Sequence, residues 1–280
     1  MMNGGSSDFA AERPLAGVRV MVTRAPHQAH ALCDMIEAAG GGRVRLPALE
    51  ISAPENPAGA DRIIGRLAEF EIAIFVSQNA VNYAHERAYA LGTNFAQLKL
   101  AAIGDKTAAA LQRAGRHIDI CPRGGFTTED LLKIPEMRDV QGRHIVIFRG
   151  EGGRELLGAI LQARGALVVY AEVYRRTVPR GLSAMLRQCL ESNPVDIIAI
   201  ASGEALSNLD DACAAEYRTR LHRTWLLVGS SRMRAQAEIA GFSNIEVADD
   251  PGDEAMFERL SHWASHRVPT SKTRTESPGS

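Results

Sequence analysis

The chain has 280 residues, 45% of them hydrophobic, and a formal net charge of −1. That is enough apolar material for one or two substantial cores, and the lack of a basic field argues against nucleic acid as the main partner. Cys33, Cys121, Cys189 and Cys213 are scattered without a CxxC or a metal-like histidine pairing, which excludes the usual zinc or disulfide framework and suits a reducing compartment.

Taken in order, residues 1–14 are small and polar and read as a tail. They hold no apolar signal segment, and no run in the chain approaches the roughly 18 apolar residues of a membrane span, so a soluble, cytoplasmic protein is expected. VRVMVTR (Val18 to Arg24) has the unbroken apolar character of a parallel strand buried on both faces. In the following HQAHALCDMIEAAG, Leu32, Met35, Ile36 and Ala39 fall at helical spacing and Gly40 ends the helix. RVRLPALEISAPENP is a strand running into a proline-rich crossing with Pro47, Pro54 and Pro57. A helix from Ala58 to Ala68, the strand EIAIFVS and a helix opening at Gln78 come next. The strand KLAAIG leads into the helix DKTAAALQRAG, IDICP is a further short strand, and FTTEDLLKI reads as a helix capped by Thr127 or Thr128. RHIVIFRG and GGRELLGAILQARG repeat the opening strand and helix, and ALVVYAEVYRRTVPRG repeats the strand and crossing. The strands VDIIAIAS, TWLLVG and NIEVAD, each followed by a helix, lead to a charged, Ser/Thr-rich tail over 265–280.

These pieces recur at one fixed distance. Ser77 and Ser202, Arg24 and Arg149, Gly104 and Gly229, Gly40 and Gly165, and Glu129 and Glu254 are each 125 positions apart. Five coincidences in register point to an internal duplication. Strands alternating with helices predict doubly wound parallel α/β sheets. The extended stretches Leu46 to Ser52 and Tyr170 to Val178 sit at matching places in the repeat. If they lie side by side, the first strand and helix pack with the C-terminal copy and residues from about 52 to 172 are an inserted domain. Two sequential domains satisfy the pattern equally.

In open parallel sheets, ligands collect beyond the carboxyl ends of the strands. The residues at these tips include Arg24, Ser77, Asn79, Gly104, Thr107, Arg149, Gly150, Arg154, Ser202, Gly229, Ser230 and Ser231. The set has no paired carboxylates, no cysteine and no metal ligands. Its glycines and hydroxyls sit instead at helix starts, where free N–H groups and the positive dipole end hold carboxylate or phosphate oxygens. Ser77 and Ser202 have a simpler role as N-caps, Thr107 and Ser231 as solvent-exposed hydroxyls of a first helical turn, Arg24 and Arg149 as strand-end charges, Arg154 as a solvated first-turn residue, and Tyr174, within a strand, as packing. The stretch RGEGG lacks the GK[ST] of a phosphate-binding loop and the GxGxxG of a dinucleotide site. His27 and His30 share a helix but lack a third ligand.

In order and spacing, VMVTRA, IFVSQNAV, AAIGDKTAAAL and FRGEGGRELLGAILQARGALVVYAEVYRRTVP resemble the motifs of the uroporphyrinogen-III synthase family, over roughly residues 17–263. The last third departs from the pattern: ASGEAL lacks the usual second Ser or Pro, and Ser230-Ser231 stand where the family has Pro-Thr or Thr-Thr. The resemblance implies two flavodoxin-like, doubly wound domains joined by a two-stranded ladder. One would comprise 15–47 with 176–264, the other 52–172, with 48–51 and 173–175 as crossing strands and mobility between the two. It also implies a monomeric, cofactor-free and metal-free lyase that closes hydroxymethylbilane to uroporphyrinogen III with inversion of the terminal ring. A transient partner would be hydroxymethylbilane synthase. Tyr174 matches the family tyrosine suspected of helping the hydroxyl leave. Ser77, Thr107, Ser202 and Ser231 match hydroxyl positions facing the substrate, and Arg154 matches the arginine of G-G-R-E. The rival reading is a non-catalytic two-domain module for a small polyanion; a regulator joined to DNA-binding parts ranks below both, since no basic region is visible.

Overall fold

The computed structural model describes residues 13–267 except Phe126 and Asn193. The expected tails at 1–14 and 265–280 fall largely outside them. Among the described residues there are ten strands: β1 Arg19–Val22, β2 Gly42–Arg45, β3 Glu50–Ser52, β4 Ile72–Phe75, β5 Lys99–Ala102, β6 His144–Gly150, β7 Leu167–Thr177, β8 Ile197–Ile200, β9 Trp225–Val228 and β10 Ile245–Val247. They form two five-stranded sheets, ordered β2-β1-β8-β9-β10 and β3-β7-β6-β4-β5.

Every pairing in the first sheet is parallel, as are those among β7, β6, β4 and β5. Ile120, from the stretch expected as a strand, makes only an isolated parallel bridge to Ala101. The reason is visible in the sequence: Pro122 stands two residues on and cannot donate to a ladder.

The chain divides into two compact units. One holds the described residues up to Glu50 together with those from Val178 on, and the other is Ile51–Thr177. Each sheet therefore mixes the two sequence copies. β6 lies 125 positions after β1, β8 the same distance after β4, and β7 begins that far after β2. The order β2-β1-β8-β9-β10 is the 2-1-3-4-5 order of flavodoxin-like sheets.

The central strands β4 and β8 are apolar and buried along their whole length because both sheet faces are covered. In the first unit Met21, Ile198, Ile200, Leu226 and Val228 enter one core, while Val20, Val22, Ile197, Ala199 and Leu227 enter the other. In the second unit Ala73, Phe75, Val146 and Phe148 face one core and Ile72, Ile74, Ile145 and Ile147 the opposite one. This is the period-2 alternation of a strand between two helix layers. Phe75 stacks on Phe148 at 4.9 Å between centroids and meets Phe95 edge-on at 5.6 Å, geometry worth about 0.5–1.5 kcal/mol per pair beyond area burial.

Candidate functional site

The tips are made by abrupt strand-to-helix turns, so their polar residues cap helices. Ser77 Oγ accepts from Ala80 N at 3.0 Å at the head of the helix Gln78–Ala90. Ser202 Oγ accepts from Ala205 N at 3.2 Å, and Ser230 Oγ from Met233 N at 3.3 Å. Gly104 occupies the same cap position before Asp105–Arg113 without a side chain. Each cap is worth about 1 kcal/mol to its helix and leaves the other first-turn N–H groups free for an anion. Capping and anion binding thus coexist at one turn.

In the Ile51–Thr177 unit the tips of β4, β6 and β7 enclose a cavity of about 380 Å³. Its wall includes Ser77, Gly150, Arg154, Tyr174 and Arg176. The sequence reading omits Arg176. The signal for it is spacing: two residues beyond Tyr174 on one strand, it shares that side chain's face. Tyr174 is 2% exposed, and its hydroxyl has two hydrogen-bonding neighbours. It lies 3.2 Å from Ser77 Oγ and accepts from Arg176 Nη2 at 3.3 Å. Below it, Tyr83 stacks at 6.0 Å and donates to the Ile51 carbonyl at 2.9 Å.

A register shift positions this tyrosine. Along β6 and β7, Arg149 pairs with Glu172 but Gly150 pairs with Tyr174, leaving Val173 as an extra residue. Ala171, Val173 and Tyr174 consequently all join one core, whereas Tyr170 lies against the opposite one. Such a bulge re-aims a side chain at the end of a ladder. Packing and hydrogen bonding are both present at Tyr174: the ring belongs to the core, and the hydroxyl bonds at the cavity wall.

The arginines at duplicated positions are loop struts. Arg149, 8% exposed, pairs with Glu172 at 2.9 Å and donates from Nη1 to the carbonyls of Gly153 at 3.0 Å and Arg154 at 3.4 Å. Its guanidinium also lies 3.9 Å from the centre of the Tyr170 ring. Arg24 in the other unit donates to the Pro251 carbonyl and sits 3.2 Å from Asp253. That pair is close as charges without the angle of a hydrogen bond, since Asp253 Oδ1 has no hydrogen-bond partner. The two arginines thus fold the segments 150–154 and 251–253 over their strand ends. Arg154 is exposed, precedes its helix (Leu156–Ala163) and has no side-chain partner among the described residues.

The remaining candidates divide by exposure. Thr107 is 4% exposed, its N–H donating to the Gly104 carbonyl, so the hydroxyl is packed rather than open. Asn79 is half-buried in the first turn after Ser77. In the first unit Arg24 and Ser202 line a cavity of about 220 Å³ with Thr23 and Pro251. Gly229 is buried against Pro251, and Ser231 is exposed at the first position of its helix. The helix Thr128–Lys133 faces the Tyr174 cavity through Thr128 and Glu129. It begins in a full capping box: Thr127 accepts from Asp130 N while Asp130 accepts from Thr127 N. The Thr127 hydroxyl and Lys133 hold the Asp130 carboxyl down at about 2. No group of three His, Cys, Asp or Glu able to hold a metal occurs among the described residues, and no helix among them is long and apolar enough to cross a membrane.

Comparisons with known proteins bear on the family and the fold. A family model described as uroporphyrinogen-III synthase HemD matches residues 30–258. The uroporphyrinogen-III synthase of Salmonella typhimurium is 33% identical over 244 residues, spanning 86% of this chain and 99% of the relative. That of Escherichia coli is 30% identical over 244 residues with the same coverage, 86% and 99%. Among solved structures, a mutant uroporphyrinogen III synthase from Thermus thermophilus aligns with a TM-score of 0.60 at 19% identity, covering 88% of this chain and 97% of that one. Uroporphyrinogen-III synthetase from Helicobacter pylori aligns at 0.56 and 12% identity, covering 87% and 98%. At those identities the structural likeness speaks to the fold.

Proposed function

This chain belongs to the uroporphyrinogen-III synthase family, and from that premise we propose that it closes hydroxymethylbilane to uroporphyrinogen III, a step of tetrapyrrole biosynthesis. The observation that carries the residue-level reading is the Tyr174 hydroxyl, held between Ser77 and Arg176 at the wall of the cavity. The substrate is a linear tetrapyrrole with acetate and propionate arms. Its terminal hydroxymethyl group must leave as water, so the departing oxygen needs a proton. Tyr174 supplies it: with Arg176 donating to the phenol oxygen, the phenolic proton is directed away from the guanidinium, and the charge left on oxygen is met by Arg176 Nη2. The electron pair released by the pyrrole nitrogen leaves an azafulvene, and the terminal ring attacks that carbon through a spiro intermediate before the macrocycle closes inverted. The proton lost in ring closure balances the one taken up by the leaving hydroxyl.

The chain's other task is to hold a reactive substrate in one shape. The N–H groups behind Ser77 and Gly104, with the exposed Arg154, bind carboxylate arms; those behind Ser202 and Ser230, with Gly229 and Ser231, offer the same chemistry on the other unit. Arg149 and Gly150 shape the wall, and Asn79, Thr107 and Arg24 support the tips. The test is an isomer assay: substrate generated in place by its deaminase, oxidation of the product, and chromatographic separation of the uroporphyrins. Predominant III isomer supports the lyase. Only the I isomer, formed by unassisted closure in the presence of folded protein, leaves the anion-binding module as the better reading.

A further inference from the structure

At the opposite, amino ends of β8 and β9 the first unit carries a larger cavity, of about 980 Å³. Trp225 begins β9 and is 36% exposed; its ring meets the buried Trp263 edge-on at 5.8 Å. The exposed part of the Trp225 indole gives the cavity wall a flat apolar surface suited to a flat aromatic partner. The charges around it are unequally used. Arg267 pairs with Asp196 at 2.6 Å, and Arg259 donates to Glu246 at 2.7 Å. Arg220 and Arg223, exposed on the helix Ala215–Arg223, have no side-chain partner among the described residues. The acid nearest in sequence on the same helix, Glu216, stands four residues before Arg220 without pairing with it.

We propose that this cavity binds a planar aromatic anion carrying at least two carboxylates. The ring would lie against Trp225, and the carboxylates would take the two unpaired guanidiniums, whose planar donor forks match carboxylate oxygens. The site is distinct from the carboxyl-end tips: it shares no residue with the cavity around Tyr174 or the one around Arg24.

The chain has two tryptophans, and both line this cavity. Selectively excited tryptophan emission therefore reports on it alone, provided the probe neither absorbs nor emits in the indole emission band. Benzenehexacarboxylate meets that condition. Titrated into the full chain, it is expected to change the tryptophan emission saturably, and the double variant Arg220→Gln, Arg223→Gln should need at least tenfold more of it. Both substitutions are on exposed helix positions, so the far-ultraviolet circular dichroism should be unchanged. Cyclohexanehexacarboxylate, with the charges but no aromatic face, should bind clearly more weakly. The proposal is overturned by an emission that never responds, by equal titrations of the parent and double variant, or by equal responses to the two acids.

Discussion

Gly150 and Tyr174 fit only because position 150 has no side chain: a methyl group there would lie 2.7 Å from Tyr174 Cε2 and 2.8 Å from Cζ. Both residues are buried and are paired across the bulge of β6 and β7, so neither can step aside freely. Gly150→Ala should cost about 1–3 kcal/mol of stability, the usual range for overpacking. It should also move the phenol off Ser77 and reduce turnover more than removal of the hydroxyl itself does. Thermal unfolding and initial rates check this together. A variant as stable and active as the parent would mean that the ring is not held where the structure has it.

Arg149 is predicted to matter as a fork rather than as a charge. Arg149→Lys keeps the charge but cannot satisfy Glu172 and the Gly153 and Arg154 carbonyls together. The loss should be about 1.5–3 kcal/mol, the range for hydrogen bonds to a charged group, with KM rising because the loop bearing Arg154 loosens. Unchanged stability and a change confined to kcat would show that the guanidinium touches the reacting groups instead.

His85 gives a pH dependence. It is packed between Phe75 and Phe95, and Nδ1 faces the Val81 carbonyl at 3.0 Å, so the neutral ring carries its proton there. Nε2 is buried without a partner. Burial pushes its pKa below the ordinary 6.5. A group depressed in the folded state stabilises the fold above its unfolded value, and the contribution is lost as pH falls through the lower, folded one. Stability should therefore decline below about pH 6.5, and His85→Gln should flatten that part of the profile. A parent protein equally stable on both sides of that range would contradict the assignment.

Asp130 titrates lower still. Its carboxyl is held at about 2 against an ordinary 3.8, chiefly by the Thr127 hydroxyl and then by Lys133. The capping box should therefore remain formed until the pH falls from about 3.8 towards about 2. At neutral pH, Asp130→Asn should loosen the helix Thr128–Lys133, seen as faster amide exchange there. Identical exchange in the two proteins would mean the box contributes nothing.

Much of this architecture is written in periodicity. The apolar runs of β1, β4, β6 and β8 are strands because every residue finds a core on one face or the other, and the 125-residue spacing survives as equivalent places in two sheets. The helix caps at Ser77 and Ser202 are equally readable, since a hydroxyl directly after a strand has an orphan N–H within reach; the cap at Ser230 emerges only in the structure. What the linear pattern does not carry is partnership across the fold. The Arg149–Glu172 pair, the bulge at Val173 and the depth of Thr107 depend on which strand lies beside which. Arg176 looks like a strand-end charge until its neighbour's hydroxyl is known to point the same way.

The most direct test of the central claim is single-turnover conversion by Tyr174→Phe beside the parent protein, with product isomers separated. Phenylalanine keeps the ring against Tyr83 and Gly150 and removes only the hydroxyl that reaches Ser77 and Arg176. The account predicts a rate several-fold lower, on the order of 1 kcal/mol, with the III isomer still predominant because the tips continue to hold the substrate. A rate equal to the parent's, in a variant of unchanged stability, would show that the phenol takes no part in the departure of the hydroxyl.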